Sequence, residues 1–263
     1  MSRTPLDADE LRAALGDRWV RVQVLAQTGS TNADLLADTG APDRSVLVSE
    51  EQRAGRGRLD RGWTSPPGAG LTFSVLVRPA APVATWGWLP LLTGVALREA
   101  VTEVAGVDVS VKWPNDLLAA ADGRKLAGIL AQTSGEAVVV GIGLNVSTTA
   151  DELPVDSATS LALCGAGEVD RTRLLVAILN RVDARVAQWD DVGGDAEACG
   201  LAAAYREACA TLGLGVAVSA LDGRRIEGVA RDVDSAGRLL VTTLDGGETV
   251  IGAGDVEHLR PMS

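Results

Sequence analysis

A chain of 263 residues with 46% hydrophobic and 22% charged residues has the composition of a globular protein, with room for one large domain and a small one. The net charge of −11 argues against a general nucleic-acid binder, which needs a basic face to neutralise phosphates. With one histidine, His258, and three cysteines (Cys164, Cys199, Cys209) that form no C-x-x-C pair, the usual zinc sites lack ligands and any chemistry is expected to run without a histidine base.

Taken in chain order, residues 6–15 read as a short amphipathic helix, and Val20, Val22 and Val24 alternate with polar residues as a half-buried strand. Residues 30–34 look like a helix start, with Thr31 and Asp34 in capping-box spacing. Short strands are expected at 46–49 and 71–77, and a core helix at 88–104 through Leu89, Leu92, Ala96 and Ala100. Four strands follow at 109–113, 116–119, 125–132 and 137–146. The run Val138-Val139-Val140 has no alternation, which places it in the centre of a sheet. Helices are expected at 171–189 and at about 196–212. Beyond Gly213 short β-rich pieces alternate with turns at Asp222-Gly223, Ala236-Gly237 and Asp245-Gly246-Gly247, the spacing of a small antiparallel barrel. The class is α+β, a mixed sheet with flanking helices, with domains at 1–213 and 214–263. No signal peptide or membrane span is apparent, and the cysteines read as reduced, buried packing residues, so a cytoplasmic home is expected.

Of the 24 basic residues only two are lysines, Lys112 and Lys125; a lysine kept where arginine is the habit marks a site suited to a compact ammonium. Upstream, residues 53–61 hold four arginines and one acid, Asp60, on an otherwise acidic chain. Glycines 55, 57 and 62 let that backbone approach a ligand, Arg56, Arg58 and Arg61 can engage phosphate or carboxylate, and Trp63 offers a face for stacking a base. The loop is neither a P-loop nor a dinucleotide fingerprint. A solvated basic loop is the plainer reading of charge alone. Ser30 and Thr31 serve a helix cap or a polar ligand group. Gly141 and Gly143 in a central strand suit either close passage of a ligand or a bulge. Asn115 and Asp116 after a proline suit a turn.

Ser30-Thr31-Asn32, Gln52 with 54–58, Arg61 and Trp63, Lys112-Trp113-Pro114-Asn115-Asp116, Lys125 to Leu130, and Gly141 to Asn145, taken together and in this order, resemble biotin protein ligase. Each motif is common; the ordered set is specific, and it spans about residues 30–146. The resemblance implies a class II synthetase-like biotin–lipoate ligase catalytic domain followed by an SH3-like barrel. It implies activation of biotin by MgATP to biotinyl-5′-adenylate, then transfer to a lysine of the biotin carboxyl carrier domain of an acyl-CoA carboxylase. By the same match Lys125, Arg58 and Arg61 are catalytic. Ser30, Thr31, Asn32, Gln52, Gly55, Arg56, Gly57, Arg58, Lys125 and Gly128 take biotin. Arg58, Arg61, Trp63, Lys112, Asn115 and Asn145 take the nucleotide, and Asp116 is a candidate Mg²⁺ ligand or helper in transfer. The glycine-rich loop suggests a lid over a water-sensitive anhydride.

Many family members have glycine where Asp60 stands, which affects the shape and charge of the loop. Members that double as repressors carry a winged helix-turn-helix domain ahead of the serine–threonine motif; 29 residues precede Ser30 here, so a monofunctional ligase that does not bind DNA is expected, as a monomer or weak homodimer. Rival readings are a lipoate or octanoate ligase of the same fold, and a binding module without turnover.

Overall fold

The computed structural model describes residues 3–220 and 223–259, so Asp222 of the expected turn and the ends of both expected domains lie outside the described residues. The first helix, α1 (Ala8–Leu15), starts where the Asp7 carboxylate accepts from the N–H groups of Asp9 and Glu10. There follow β1 (Arg21–Leu25), α2 (Thr31–Ala37), β2 (Ser45–Ser49), the two-residue strands β3 (Gly55–Arg56) and β4 (Gly62–Trp63), and β5 (Gly70–Val77). Next come α3 (Trp88–Ala105), β6 (Val109–Lys112), β7 (Asp116–Ala119), β8 (Lys125–Ser134), β9 (Ala137–Asn145), α4 (Arg171–Asp191) and α5 (Leu201–Ala208).

Seven of these strands form one sheet in the order β1-β2-β5-β9-β8-β7-β6. Only β1 and β2 run parallel; the other neighbours are antiparallel, which makes the sheet mixed, as expected. Strand β9 is the middle strand. Val138 and Val140 join the large core under α3 and α4, while Val139 joins the smaller cluster with Leu35 and Leu47 under α2. That is why its apolar run does not alternate: both faces are covered.

Two helical expectations need correction. The start of α2 is capped by Ser30, whose hydroxyl oxygen accepts from Ala33 N–H, while Asp34 reaches back to the Thr28 hydroxyl; Thr31 and Asp34 form no capping box. The helix expected at 196–212 is shorter, because Gly200 is left-handed (φ 74°) and Asp195 closes a separate turn by accepting from Glu197 and Ala198 N–H. Cys209 then leaves the helix to bridge Val111 of β6. The cysteines are all free, but only Cys209 is fully buried; Cys164 and Cys199 are half-buried.

The C-terminal strands β10 (Gly215–Ala220), β11 (Arg225–Val233), β12 (Leu239–Thr243), β13 (Glu248–Ile251) and β14 (Gly254–His258) form an antiparallel sheet ordered β13-β12-β11-β10-β14. A bulge between Ala230 and Asp232 bends β11. Among the described residues its edge strands β13 and β14 do not pair, so the sheet is open and the expected closed barrel is not present. The sheet is seated on the large unit by two indoles: Trp88 Nε1 donates to Ser235 O (3.0 Å) and Trp113 Nε1 donates to Gly237 O (3.1 Å). Among the described residues no helix is long and apolar enough to cross a membrane.

Candidate active site

The first parts of β5 and β8 and the last part of β9, neighbours in the sheet, line a cavity of about 510 Å³. Its walls come from the start of α2, the β3–β4 loop, and the first residues of β8. Ser30, Thr31, Asn32, Gln52, Arg56, Gly57, Arg58, Arg61, Trp63, Asn115, Lys125, Gly128 and Asn145 all reach it, so the structure brings together most of the residues that the sequence singled out. Gly55, Lys112 and Asp116 are not on its wall.

One end is a polar network. Gln52 Oε1 accepts from Thr31 N–H (2.8 Å) and from the Thr31 hydroxyl (3.2 Å). The Ser74 hydroxyl donates to Asn32 Oδ1 (2.6 Å) and lies 2.7 Å from Thr31 Oγ1. Asn32 Nδ2 in turn donates to Leu130 O (3.0 Å) and Gln132 Oε1 (2.9 Å), which ties α2 to β8. Ser74, buried at the centre of this network, was not legible from the motifs; it and Thr72 are the two buried polar residues of a strand whose other side chains are apolar.

The arginine loop is a tight hairpin in which Gly57 N–H donates to Arg61 O (2.6 Å). Leu59 at its tip is left-handed (φ 54°, ψ 43°), a costly conformation for a branched side chain, and it is exposed. Gly55 serves the hairpin itself, since a Cβ there would lie 2.4 Å from Trp63 O. The two strand glycines have a similar explanation, and neither marks a bulge, because the β9 register runs unbroken on both sides. A Cβ at Gly143 would lie 2.2 Å from the Trp63 indole, and one at Gly141 would lie 2.0 Å from Asn32 Oδ1. The indole therefore lies on the floor of the cavity, over Gly143 and against Gly128, with Lys125 Nζ 6.0 Å from a ring centroid. Gly143→Ala is expected to expel the indole from the floor. An unchanged Trp63 position in a crystal structure of the variant would contradict this.

A second group of residues around the cavity carries the charge. Lys125 Nζ lies 2.5 Å from Asp116 Oδ1, so Asp116 stands behind the lysine as its counter-ion. Arg58 is half-buried; burial lowers its pKa from the ordinary guanidinium value, and the nearby carboxylates Asp116 and Asp255 oppose that shift. Arg61 forms a two-point ion pair with Asp255 of β14 (2.9 and 3.3 Å), an exposed contact that sequence reading did not anticipate. Lys112 faces Asp116 across the β6–β7 register and sits near His258, whose pKa is lowered by burial first and by that lysine second. Asn115 Nδ2 donates to Ile129 O (2.9 Å), and a turn at 113–115 carries a cis Trp113–Pro114 bond, so of the expected turn residues Asn115 lies in it while Asp116 already begins β7. Among the described residues there is no cluster of three or more metal-ligating side chains.

A further wall, missed by the sequence reading, is the segment Pro154, Val155, Ser157 and Ala158. It is held by main-chain bonds: Lys125 N–H donates to Ser157 O and Thr159 N–H donates to Lys125 O, both at 2.8 Å. Asn145 Nδ2 donates to Thr159 O (3.0 Å) from the end of β9.

Comparison with known proteins agrees with this geometry. Residues 21–148 match the Biotin/lipoate A/B protein ligase family and residues 213–259 match the Biotin protein ligase C terminal domain. The chain is 44% identical to the biotin--[acetyl-CoA-carboxylase] ligase of Mycobacterium tuberculosis, across 98% of this chain and 97% of that one. It is 31% identical to the bifunctional ligase/repressor BirA of Bacillus subtilis over 92% of this chain and 74% of the relative. Among solved structures, the biotin protein ligase from Aquifex aeolicus in complex with biotin and ATP superimposes with a TM-score of 0.77 at 27% identity, covering 91% of this chain and 99% of that one. A cavity of this construction, in a chain so closely matched over nearly its whole length, places the protein in the biotin protein ligase family.

Proposed function

We infer that the protein activates biotin with ATP and transfers the biotinyl group to a lysine of a biotin carboxyl carrier domain. The observation that carries this is the convergence of Lys125, Arg58 and Arg61 with the Ser30–Gln52 network on one cavity. In the first step a biotin carboxylate oxygen attacks the α-phosphorus of ATP and pyrophosphate leaves. Biotin is ionised at neutral pH, so no base is needed; the obstacle is repulsion between two anions. Cations already fixed in place offset it as charge builds up. In the second step the carrier's lysine, as the free amine, attacks the acyl carbonyl and AMP leaves, while a proton is released from the new amide nitrogen.

The polar end, Ser30, Thr31, Asn32 and Gln52, suits a neutral ring with donors and acceptors. The end with Lys125, Arg58 and Arg61 suits carboxylate and phosphate. Trp63 is assigned to the nucleotide base, which requires its indole to rise off Gly143. Mg²⁺ takes one or two carboxylates with the rest of its shell from phosphates and water. Asp116 stands behind the lysine and off the cavity wall, so an ion arriving on the nucleotide would be held mainly by phosphates and water, with Asp116 at most a single carboxylate nearby, and would supply further charge neutralisation. Arg61→Ala and Trp63→Ala are expected to raise the KM for ATP about tenfold and leave biotin binding without ATP unchanged; equal loss of biotin affinity would contradict that division.

The units 1–213 and 214–263 are read as catalytic domain and SH3-like domain, the latter resting on five antiparallel strands and a bulged β11. The free cysteines suit a reducing cytoplasm, and the acidic charge suits a protein that does not hold DNA. Incubation with ATP, a carrier domain and either biotin or lipoate tests the substrate: biotin alone should label the carrier lysine, and labelling by lipoate alone would overturn the assignment.

A further inference from the structure

Ahead of α1, the Arg3 side chain is bonded to residues 67, 147 and 152, which lie far apart in the sequence. The Arg3 guanidinium donates to Glu152 through both nitrogens (2.6 and 3.2 Å), to Ser147 O (3.2 Å) and to Pro67 O (3.4 Å). A Cβ at Gly68, which has φ 67°, would meet Arg3 at 2.9 Å, so the backbone there makes room for it. The Glu152 carboxyl is held down at about 2, first by the Arg3 hydrogen bonds and then by Thr149 N–H. Glu152 belongs to a short capped turn, Ala150–Glu152, and two residues later the chain becomes the cavity wall. The far end of that wall is pinned to the main chain of Lys125 on both sides. The stretch between Glu152 and Ser157 is thus fixed at one end by Arg3 and at the other by the strand that carries the central lysine.

We propose that Arg3 is a positioning residue for the ligase reaction, setting the 154–158 wall against Lys125 through Glu152. It touches neither substrate nor reacting atoms. This rests on the reading of Lys125 as the centre of adenylate formation. The bonds of Arg3 run to 67 and 147–152 and not to α2 or Gln52, so the effect should fall on the Lys125 end of the cavity and spare the polar end.

The test is steady-state kinetics and amide hydrogen exchange on the full chain for Arg3→Ala, Glu152→Gln, the double variant and Arg3→Lys, with melting temperatures as a check on folding. Arg3→Ala and Glu152→Gln are each expected to lower kcat for adenylate formation about tenfold with the KM for biotin changed much less, and the double variant to be no worse than either. Arg3→Lys should recover part of the loss. Exchange at the Lys125 and Thr159 amides should quicken in Arg3→Ala while that at Thr31 does not. Unchanged exchange at those amides, or equal loss of biotin and ATP affinity, would overturn the proposal. If the parent protein makes no adenylate, the ligase reading fails, and the exchange experiment still decides whether Arg3 holds the wall.

Discussion

Lys125→Ala is expected to lower the rate of biotinyl-adenylate formation about 10³-fold, the upper range for removing one preorganised charge from a transition state (roughly 4 kcal/mol). The lysine is placed by its strand and not by its side chain: its N–H and C=O are both bonded to the 157–159 segment, and these bonds survive truncation. Asp116 loses a partner at 2.5 Å but keeps the Arg58 charge nearby, so no isolated anion is left. Because the Lys125 side chain is about one-third exposed (35%), the pair adds little to stability, and the melting temperature should move by only a few degrees. Rapid-quench measurement of adenylate in the folded variant checks this. A rate within tenfold of the parent would remove Lys125 from the chemistry.

Arg58→Ala is expected to cost 10²- to 10³-fold in the same step, through loss of a half-buried guanidinium that pairs with phosphate or carboxylate at two points. Arg58→Lys should restore only part of the rate, since an ammonium lacks the planar fork. The two cations share Asp116, so the double variant Lys125→Ala with Arg58→Ala should be less impaired than the product of the single effects. Full additivity would mean that the two act independently. Full rescue by lysine would mean that point charge alone suffices.

Much of the large unit was legible in the sequence. The 3.6-residue pattern of α4 and the unbroken valines of β9 follow from which faces are covered, and a residue pattern records that directly; α3 is apolar along its first half because it is buried on all sides there. What the pattern could not show is contact between distant parts. The glycines of β9 suggested passage of a ligand or a bulge, whereas the groups packed against them are the chain's own Trp63 and Asn32. The 154–158 wall has no distinctive side chains and is held through main-chain bonds to Lys125, so nothing in its composition marks it. Asp255 lies 194 positions from Arg61, and only folding brings them together. Turn spacing after Gly213 correctly indicated short antiparallel strands, but closure of a barrel depends on whether β13 and β14 pair, which turn spacing does not encode. The α2 cap illustrates a finer limit, since Ser30 and Thr31 are chemically equivalent caps and the choice is made by Gln52 and Ser74 claiming Thr31.

One cavity that joins a biotin carboxylate to the α-phosphate of ATP should give biotin-dependent release of pyrophosphate from MgATP by the purified protein, without any carrier domain. Stoichiometric pyrophosphate and bound biotinyl-adenylate in the parent, both lost in Lys125→Ala, is the expected result. Biotin binding without pyrophosphate release in a folded protein supplied with MgATP would contradict it.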